Sequence, residues 1–186
     1  SGTYSYSSTS GSNNYSMSFD GVDDYIDLGS FNSSTSLTYA LWFNPSTTFN
    51  SSNSVPEALL VARPNYTEDV SLFLMANTGK IRFQIWDPLL GYISISTNTN
   101  SWLAGTWHHI AATYDLQVIS IYVNGILEST ISVGGGTNIT VSSLTVGEDP
   151  TNLGLWNFNG LIDNIELWET ALSSQEIQQY MNCPPT

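Results

Sequence analysis

Cationic side chains are almost missing from this chain: three Lys plus Arg stand against sixteen Asp plus Glu, a formal net charge of −13. Such a chain repels phosphate backbones and anionic headgroups, so neither nucleic acid nor an anionic membrane is expected as a partner. Cysteine is nearly missing too. The single Cys183 cannot close an internal disulfide, and in the terminal stretch Asn182-Cys183-Pro184-Pro185 it reads as a domain-boundary residue whose partner, if it has one, lies in an adjoining domain. Long apolar runs are absent, which rules out a membrane-spanning helix. No serine or cysteine stands in a recognisable nucleophile setting.

What the chain does have is apolar and aromatic material. Hydrophobic residues make up 41% of its 186 residues, with six Trp, ten Tyr and seven Phe. That is enough to build the core of one sizeable domain and argues against disorder. Its polar residues are mostly Ser, Thr and Asn, a composition common in extracellular proteins and suited to polysaccharide partners. Residues 1–15 lack periodicity and read as a linker or flexible segment, residues 16–182 as the domain, and residues 183–186 as the start of a further linker.

Within the domain the main signal is alternation with a period of two residues. Leu37, Tyr39, Leu41 and Phe43 form one face of a strand; Ile81, Phe83 and Ile85 alternate with Lys80, Arg82 and Gln84. Ile93 and Ile95, the run Trp107 to Tyr114, and Ile119, Ile121 and Val123 continue the pattern. Asn124-Gly125 between two apolar runs is a hairpin signal, because both turn positions favour positive φ. One helix is predicted: Ser173-Ser174-Gln175-Glu176 is a capping box, with Leu172 placed to staple onto Ile177. Many short strands separated by turns imply an all-β, antiparallel sandwich or jelly roll with one short C-terminal helix.

Four ordered stretches carry a resemblance: SFDGVDDYIDLG (18–29), SLTYALWFNP (36–45), GTWHHIAATYD with IYVNGILEST (105–130), and FNGLIDNIELWETALSSQEIQQY (158–180). Together they resemble a laminin-G-like domain of the concanavalin A-like lectin/glucanase superfamily. The resemblance implies a two-sheet jelly roll and a role in binding carbohydrate or protein within a secreted or cell-surface protein. It also implies a structural Ca²⁺ at the positions matching FDG and G-x-I-D, here Asp20 and Asp163.

The residues themselves speak to that metal. Asp163 shares its alternation with Leu161, Ile165 and Leu167, so if that face is buried the carboxylate needs a metal, a cation or backbone amides. Asp20 ends a strand before Gly21, where carbonyl oxygens can join it; hard oxygen ligands of this kind suit Ca²⁺. Asp23 and Asp24 read as solvated turn residues, Asp24 being the better ligand candidate. His108 and His109 are adjacent on a strand and point to opposite faces, so they cannot share one metal; both read as half-buried side chains near Trp107.

Catalysis by a glycosidase on this fold needs two carboxylates across a cleft. The glucanase branch carries them as E-x-D-x-x-E, whereas Ile162 to Glu169 here lacks the first glutamate, so no enzyme is expected. Sugar binding uses aromatic platforms with amide and carboxylate hydrogen bonds. Two loops offer these: Trp86, Asp87 and Tyr92 in one, Glu148, Asp149, Asn152, Trp156 and Asn157 in the other. Arg63 and Arg82 either pair with a carboxylate of an acidic polysaccharide or neutralise a local excess of Asp and Glu. The expectation is a non-catalytic, lectin-like module, monomeric in isolation, that binds a glycan. A protein-binding adhesion or scaffold domain is the alternative, and a glycoside hydrolase or polysaccharide lyase a more distant one.

Overall fold

The computed structural model describes residues 5–8, 15–65, 68–136, 138–152, 154–181 and 185. Along the chain the strands are β1 (Ser5–Ser8), β2 (Tyr15–Asp20), β3 (Ile26–Ser34), β4 (Leu37–Pro45), β5 (Phe49–Asn50), β6 (Glu57–Asn65), β7 (Glu68–Leu74) and β8 (Ile81–Asp87). They continue as β9 (Gly91–Ser96), β10 (Ser101–Trp102), β11 (His108–Tyr114), β12 (Val118–Val123), β13 (Ile126–Ser132), β14 (Ile139–Val146) and β15 (Asn159–Trp168), followed by the helix α1 (Ser174–Tyr180).

A seven-stranded sheet runs β1-β2-β15-β4-β11-β12-β13, and a six-stranded sheet runs β3-β14-β6-β7-β8-β9. The pairings within both sheets are antiparallel, as alternation with short turns implied. The core lies between the sheets. Leu41 and Phe43 of β4, Ile110 and Tyr114 of β11, and Leu72, Phe83 and Ile85 of β7 and β8 are all fully buried there. Burial along β8 alternates with its sequence, so Ile81, Phe83 and Ile85 face inward while Arg82, Gln84 and Trp86 face out.

The helix starts where its cap says it should. Ser173 accepts the amide of Glu176, and the Glu176 carboxylate accepts the Ser173 amide. Leu172 and Ile177 pack together with Ala40, Ala111 and Tyr122 on the outer face of the seven-stranded sheet. The predicted Asn124-Gly125 turn forms as well. Gly125 has φ +74°, which favours glycine, and the Met181 thioether packs over it so closely that it would have to shift for a Cβ, 2.6 Å from its sulfur.

One expectation needs correction. Residues 1–15 are not all linker: Ser5–Ser8 pairs with Ser18 to Tyr15 as an edge strand. An edge strand is held by its main chain and needs no apolar alternation, which is why the sequence hid it. The strand β6 carries no alternation either, because Leu60 and Ala62 face the core while Ala58 and Val61 are buried on the other side. Residues 1–4 and 9–14 of the expected linker, and Cys183, expected as a domain-boundary residue, lie outside the described residues.

Candidate functional site

The first candidate is the loop after β2. Gly21, at φ +80°, turns the chain so tightly against Asn159 that a Cβ would come within 2.9 Å of the Asn159 side chain. The loop then folds on its own carboxylates: Asp20 Oδ1 accepts the Val22 amide at 2.8 Å, and Asp24 Oδ2 accepts the Asp20 amide at 3.0 Å. Carboxylate oxygens of Asp20, Asp23 and Asp24 all lie within 4.8 Å of one another. Asn157 reaches the same loop. It is 7% exposed and donates Nδ2 to the Val22 carbonyl, while its Oδ1 is buried with no hydrogen-bond partner among the described residues. No cationic side chain forms an ion pair with this cluster; the ion pairs among the described residues belong to Arg63. Three converging carboxylates and an orphaned amide oxygen are the donor set of a hard cation, and they fit Ca²⁺.

Asp163 does not join that set. Asn159 is the register partner of Asp20, and Asp163 lies four residues further along β15, roughly 13 Å away at strand rise. A bulge between Asp163 and Glu166, with Asn164 at φ 46°, breaks the alternation assumed from sequence. Ile162 therefore faces the core, Ile165 and Leu167 pack against it after the bulge, and Asp163 stands opposite Trp42 on the outer face. There its Oδ1 accepts the Asn164 amide at 2.7 Å, and desolvation raises its pKa. Asp23, read as a solvated turn residue, belongs to the cluster instead.

Beside the loop lies a cleft of about 620 Å³ lined by Val22, Asp23, Tyr25, Asp27, Thr145 and Glu148 among others. Glu148 is 7% exposed, and desolvation raises its pKa. It lines this acidic cleft, where the Gly154 backbone of its own loop hydrogen-bonds its carboxylate.

The second candidate is the outer face of the six-stranded sheet. Trp86 and Tyr92 are register partners at the neck of the β8–β9 hairpin, and their rings meet edge to face at 4.8 Å. The turn beyond them is set by Asp87, whose Oδ1 accepts the amides of Leu89 at 2.8 Å and Leu90 at 2.9 Å. Asp87 is fully buried, and its other oxygen takes the Tyr114 hydroxyl at 3.3 Å. It is thus a turn-holding residue and not, as expected, a ligand contact: the alternation that turns Trp86 outward turns its neighbour inward. From Tyr92 a groove of about 420 Å³ crosses the face, lined by Arg63, Arg82, Gln84, Tyr92 and Ser94.

A buried charge network closes the far side of the groove. Asp149, fully buried, binds Arg63 through Oδ2 and also accepts Asn152 Nδ2 at 2.8 Å and the Thr151 amide at 2.9 Å. Asp69, also fully buried, lies 3.8 Å from Arg63 and accepts Ser71 Oγ at 2.5 Å and Gln84 Nε2 at 2.6 Å. The Arg63 guanidinium sits 5.4 Å above the Phe73 ring and 5.6 Å from that of Trp156. Trp156 in turn meets Phe73 at 5.5 Å. Asp149, predicted as a ligand contact, is accordingly structural: its carboxylate is spent inside the loop and on Arg63, while the half-buried Asn152 spends its Nδ2 on Asp149 and Thr151. Sequence reasoning overlooked Asp69, Gln84 and Ser94; their outward parity was readable on β7 to β9, but their convergence was not.

The histidines split as predicted. His108 packs on Phe43 and Trp102, each ring 5.4 Å away, and His109 on Trp42 at 5.2 Å across the sheet. Burial depresses His109 to a pKa of about 4. Its Nδ1 has no hydrogen-bond partner among the described residues.

A family profile described as concanavalin A-like lectin/glucanases superfamily, laminin G-like, matches residues 20–178. The chain belongs to that family. Pappalysin-1 of Mus musculus and of Homo sapiens are each 35% identical to it over 82 residues, 41% of this chain but 5% of theirs. Among solved structures, domain 4 of AbnA, a GH43 extracellular arabinanase from Geobacillus stearothermophilus crystallised with arabinotriose, is similar with a TM-score of 0.77 at 19% identity, over 97% of this chain and 82% of that one. The SAP-like pentraxin of Limulus polyphemus gives 0.67 at 14% identity, over 89% of this chain and 80% of its own. The botulinum neurotoxin serotype G binding domain gives 0.71 at 13%, over 96% and 44%. At these identities the likeness is one of fold: a two-sheet β-sandwich. No helix among the described residues is long and apolar enough to cross a membrane.

Proposed function

We propose that this domain is a non-catalytic carbohydrate-binding module of a secreted or cell-surface protein, with glycan lying in the groove of the six-stranded sheet and a calcium ion in the Asp20–Asp24 loop. One observation carries the reading: the Trp86–Tyr92 pair flanks a groove whose floor presents Gln84, Ser94 and Arg82 from paired strands. Aromatic rings offer an apolar surface for the faces of a sugar ring, and side-chain amides and hydroxyls suit its hydroxyl groups. From β6 to β9 the groove spans three inter-strand gaps, about 14 Å, room for a short saccharide. The solved AbnA domain, similar in fold and bound to arabinotriose, supports the same class of ligand. Among the described residues no carboxylate lines the groove; Asp69 and Asp149 beneath it are fully buried against Arg63, so the described residues offer no paired acid and base of a glycosidase there.

A glycan array, followed by calorimetry on its hits, tests the reading. Trp86→Ala should weaken binding by about 1–2 kcal/mol, the scale of a lost aromatic contact, with an unchanged melting curve. Trp156→Ala should lower stability as well, since that ring packs on Phe73 and Arg63. Retention of binding in Trp86→Ala and Tyr92→Ala alike, release of reducing ends from a bound glycan, or a protein ligand with no glycan hits would each defeat it.

Calcium would be held by the carboxylates of Asp20, Asp23 and Asp24 with Asn157 Oδ1, and would neutralise a cluster that has no cationic side chain to do so. A ligand at a hundred times its Kd stabilises the native state by about 2.7 kcal/mol. EDTA should therefore lower Tm, and Ca²⁺ more than Mg²⁺ should restore it. Asp23→Ala should abolish the response, whereas Asp163→Ala should keep it. A Tm indifferent to EDTA and Ca²⁺, with no metal by elemental analysis, would remove the ion from the proposal.

A further inference from the structure

We infer that the groove selects a saccharide bearing a carboxylate, a uronic acid residue, and that Arg82 is the residue that recognises it. The inference rests on the glycan-binding reading and names the sugar class for the same groove. The three cations of the chain are Arg63, Lys80 and Arg82; Arg63 and Arg82 line the groove, and Lys80 stands two residues before Arg82. Sixteen acidic residues are available to them, yet they are treated differently. Arg63 is 7% exposed and locked between Asp69 and Asp149. Its charge is cancelled within the fold, although its Nε remains buried without a partner among the described residues.

Arg82 has no ion pair among the described residues. Its neighbours across the sheet are Phe73 on one side and Ser96 on the other. Among the described residues the groove lining holds no carboxylate to answer it. In a chain of net charge −13, a guanidinium left partly solvated in the groove that the aromatic pair flanks, and facing no acid among the described residues, is a vacant half of an ion pair. Guanidinium matches a carboxylate with two parallel hydrogen bonds, while Gln84, Ser94 and the Trp86–Tyr92 pair address the rest of a pyranose. The chain's overall negative charge acts against a long polyanion, but over distances beyond about 8 Å it is screened at physiological ionic strength. Acidic residues spaced within a largely neutral glycan therefore suit the groove better than an unbroken polyuronate.

The test is calorimetric titration of the full chain, at fixed calcium, with trisaccharides of galacturonate, glucuronate and mannuronate, their methyl esters, and sulfated and neutral trisaccharides. At least one acid should bind tenfold or more tightly than its own ester. Arg82→Gln should bring that acid down to the level of the ester, cutting the affinity of the acid by a larger factor than that of the ester and leaving Tm unchanged, and Arg82→Lys should restore part of the preference. Equal affinity for acids and esters, with both weakened by Trp86→Ala, would overturn the inference and leave the glycan reading standing. So would a preference untouched by Arg82→Gln, or an Arg82-dependent preference for sulfate alone. Failure of every saccharide, with an empty glycan array, would remove both.

Discussion

The two outer faces of this sandwich begin from the same kind of strand and end in opposite conditions. On the seven-stranded sheet, Ala40, Ala111 and Tyr122 are roofed by the segment that follows β15: Leu172 and Ile177 cover them, Trp168 packs alongside, and Tyr180 meets Trp168 at 4.6 Å. Even the polar Thr38 beneath the roof is used, donating to the Thr170 carbonyl at 2.7 Å and accepting the Leu172 amide at 2.9 Å. On the six-stranded sheet no helix among the described residues is laid over β8 and β9. Their outward residues line an open groove, and only the Trp156 loop closes its far side, over a buried ion pair. Small residues at the centre of one face invite a helix; long polar and aromatic residues on the other hold a ligand-sized gap open. A β-sandwich thus acquires a binding face by leaving one side uncovered.

Three measurements would break or sharpen this comparison. The largest effect is expected beneath the open face. Asp149→Ala leaves the buried Arg63 guanidinium only its 3.8 Å contact with Asp69 and frees the Thr151 and Asn152 contacts, and should cost about 3–5 kcal/mol in urea unfolding, as breaking a buried pair does. A cost near zero would mean that the far wall of the groove does not depend on that pair. The second concerns the covered face, where His109 is 3% exposed and held neutral, with a folded pKa of about 4 below its unfolded value of 6.5. The unfolded state then binds more protons between those values, so the stability present above pH 6.5 is lost as pH falls towards 4. His109→Gln should flatten that limb of the stability–pH curve. An unaltered limb would assign acid sensitivity to the carboxylates instead. The smallest effect is at the edge of the roof: Ser173→Ala removes the capping box and should cost about 1 kcal/mol, with saccharide affinity on the opposite face unchanged.

Much of the fold was readable. The alternating runs became β4, β8, β9, β11 and β12, the capping box and staple marked the helix, and Asn124-Gly125 formed its turn. Each of these rests on interactions within a few residues. Of the strands that escaped, β1 and β6 lacked alternation for opposite reasons: one is held by its main chain at an edge, the other is covered on both sides. The site was less legible. Trp86 and Tyr92 share a turn, and their meeting follows from hairpin register. Asp163 was misplaced because a single bulge reversed the facing of the residues after it, and Asp23 could not be told from an ordinary turn aspartate until Asn157 arrived from a strand-distant loop.

By itself, then, the sequence determined the fold class, the helix and its start, the opposite facing of the two histidines and the scarcity of positive charge. Its periodicities act over neighbouring residues, and those are fixed before any strand finds its partner. The tertiary structure alone decided what each scarce cation does. Arg63 meets Asp149 across 86 residues of chain, a pairing set by strand order and a loop folded over the sheet. Arg82, identical in chemistry and two strands away, meets no such carboxylate. The difference lies in the assembly of distant segments, because an ion pair depends on separation in space and on desolvation, and neither is encoded in local pattern.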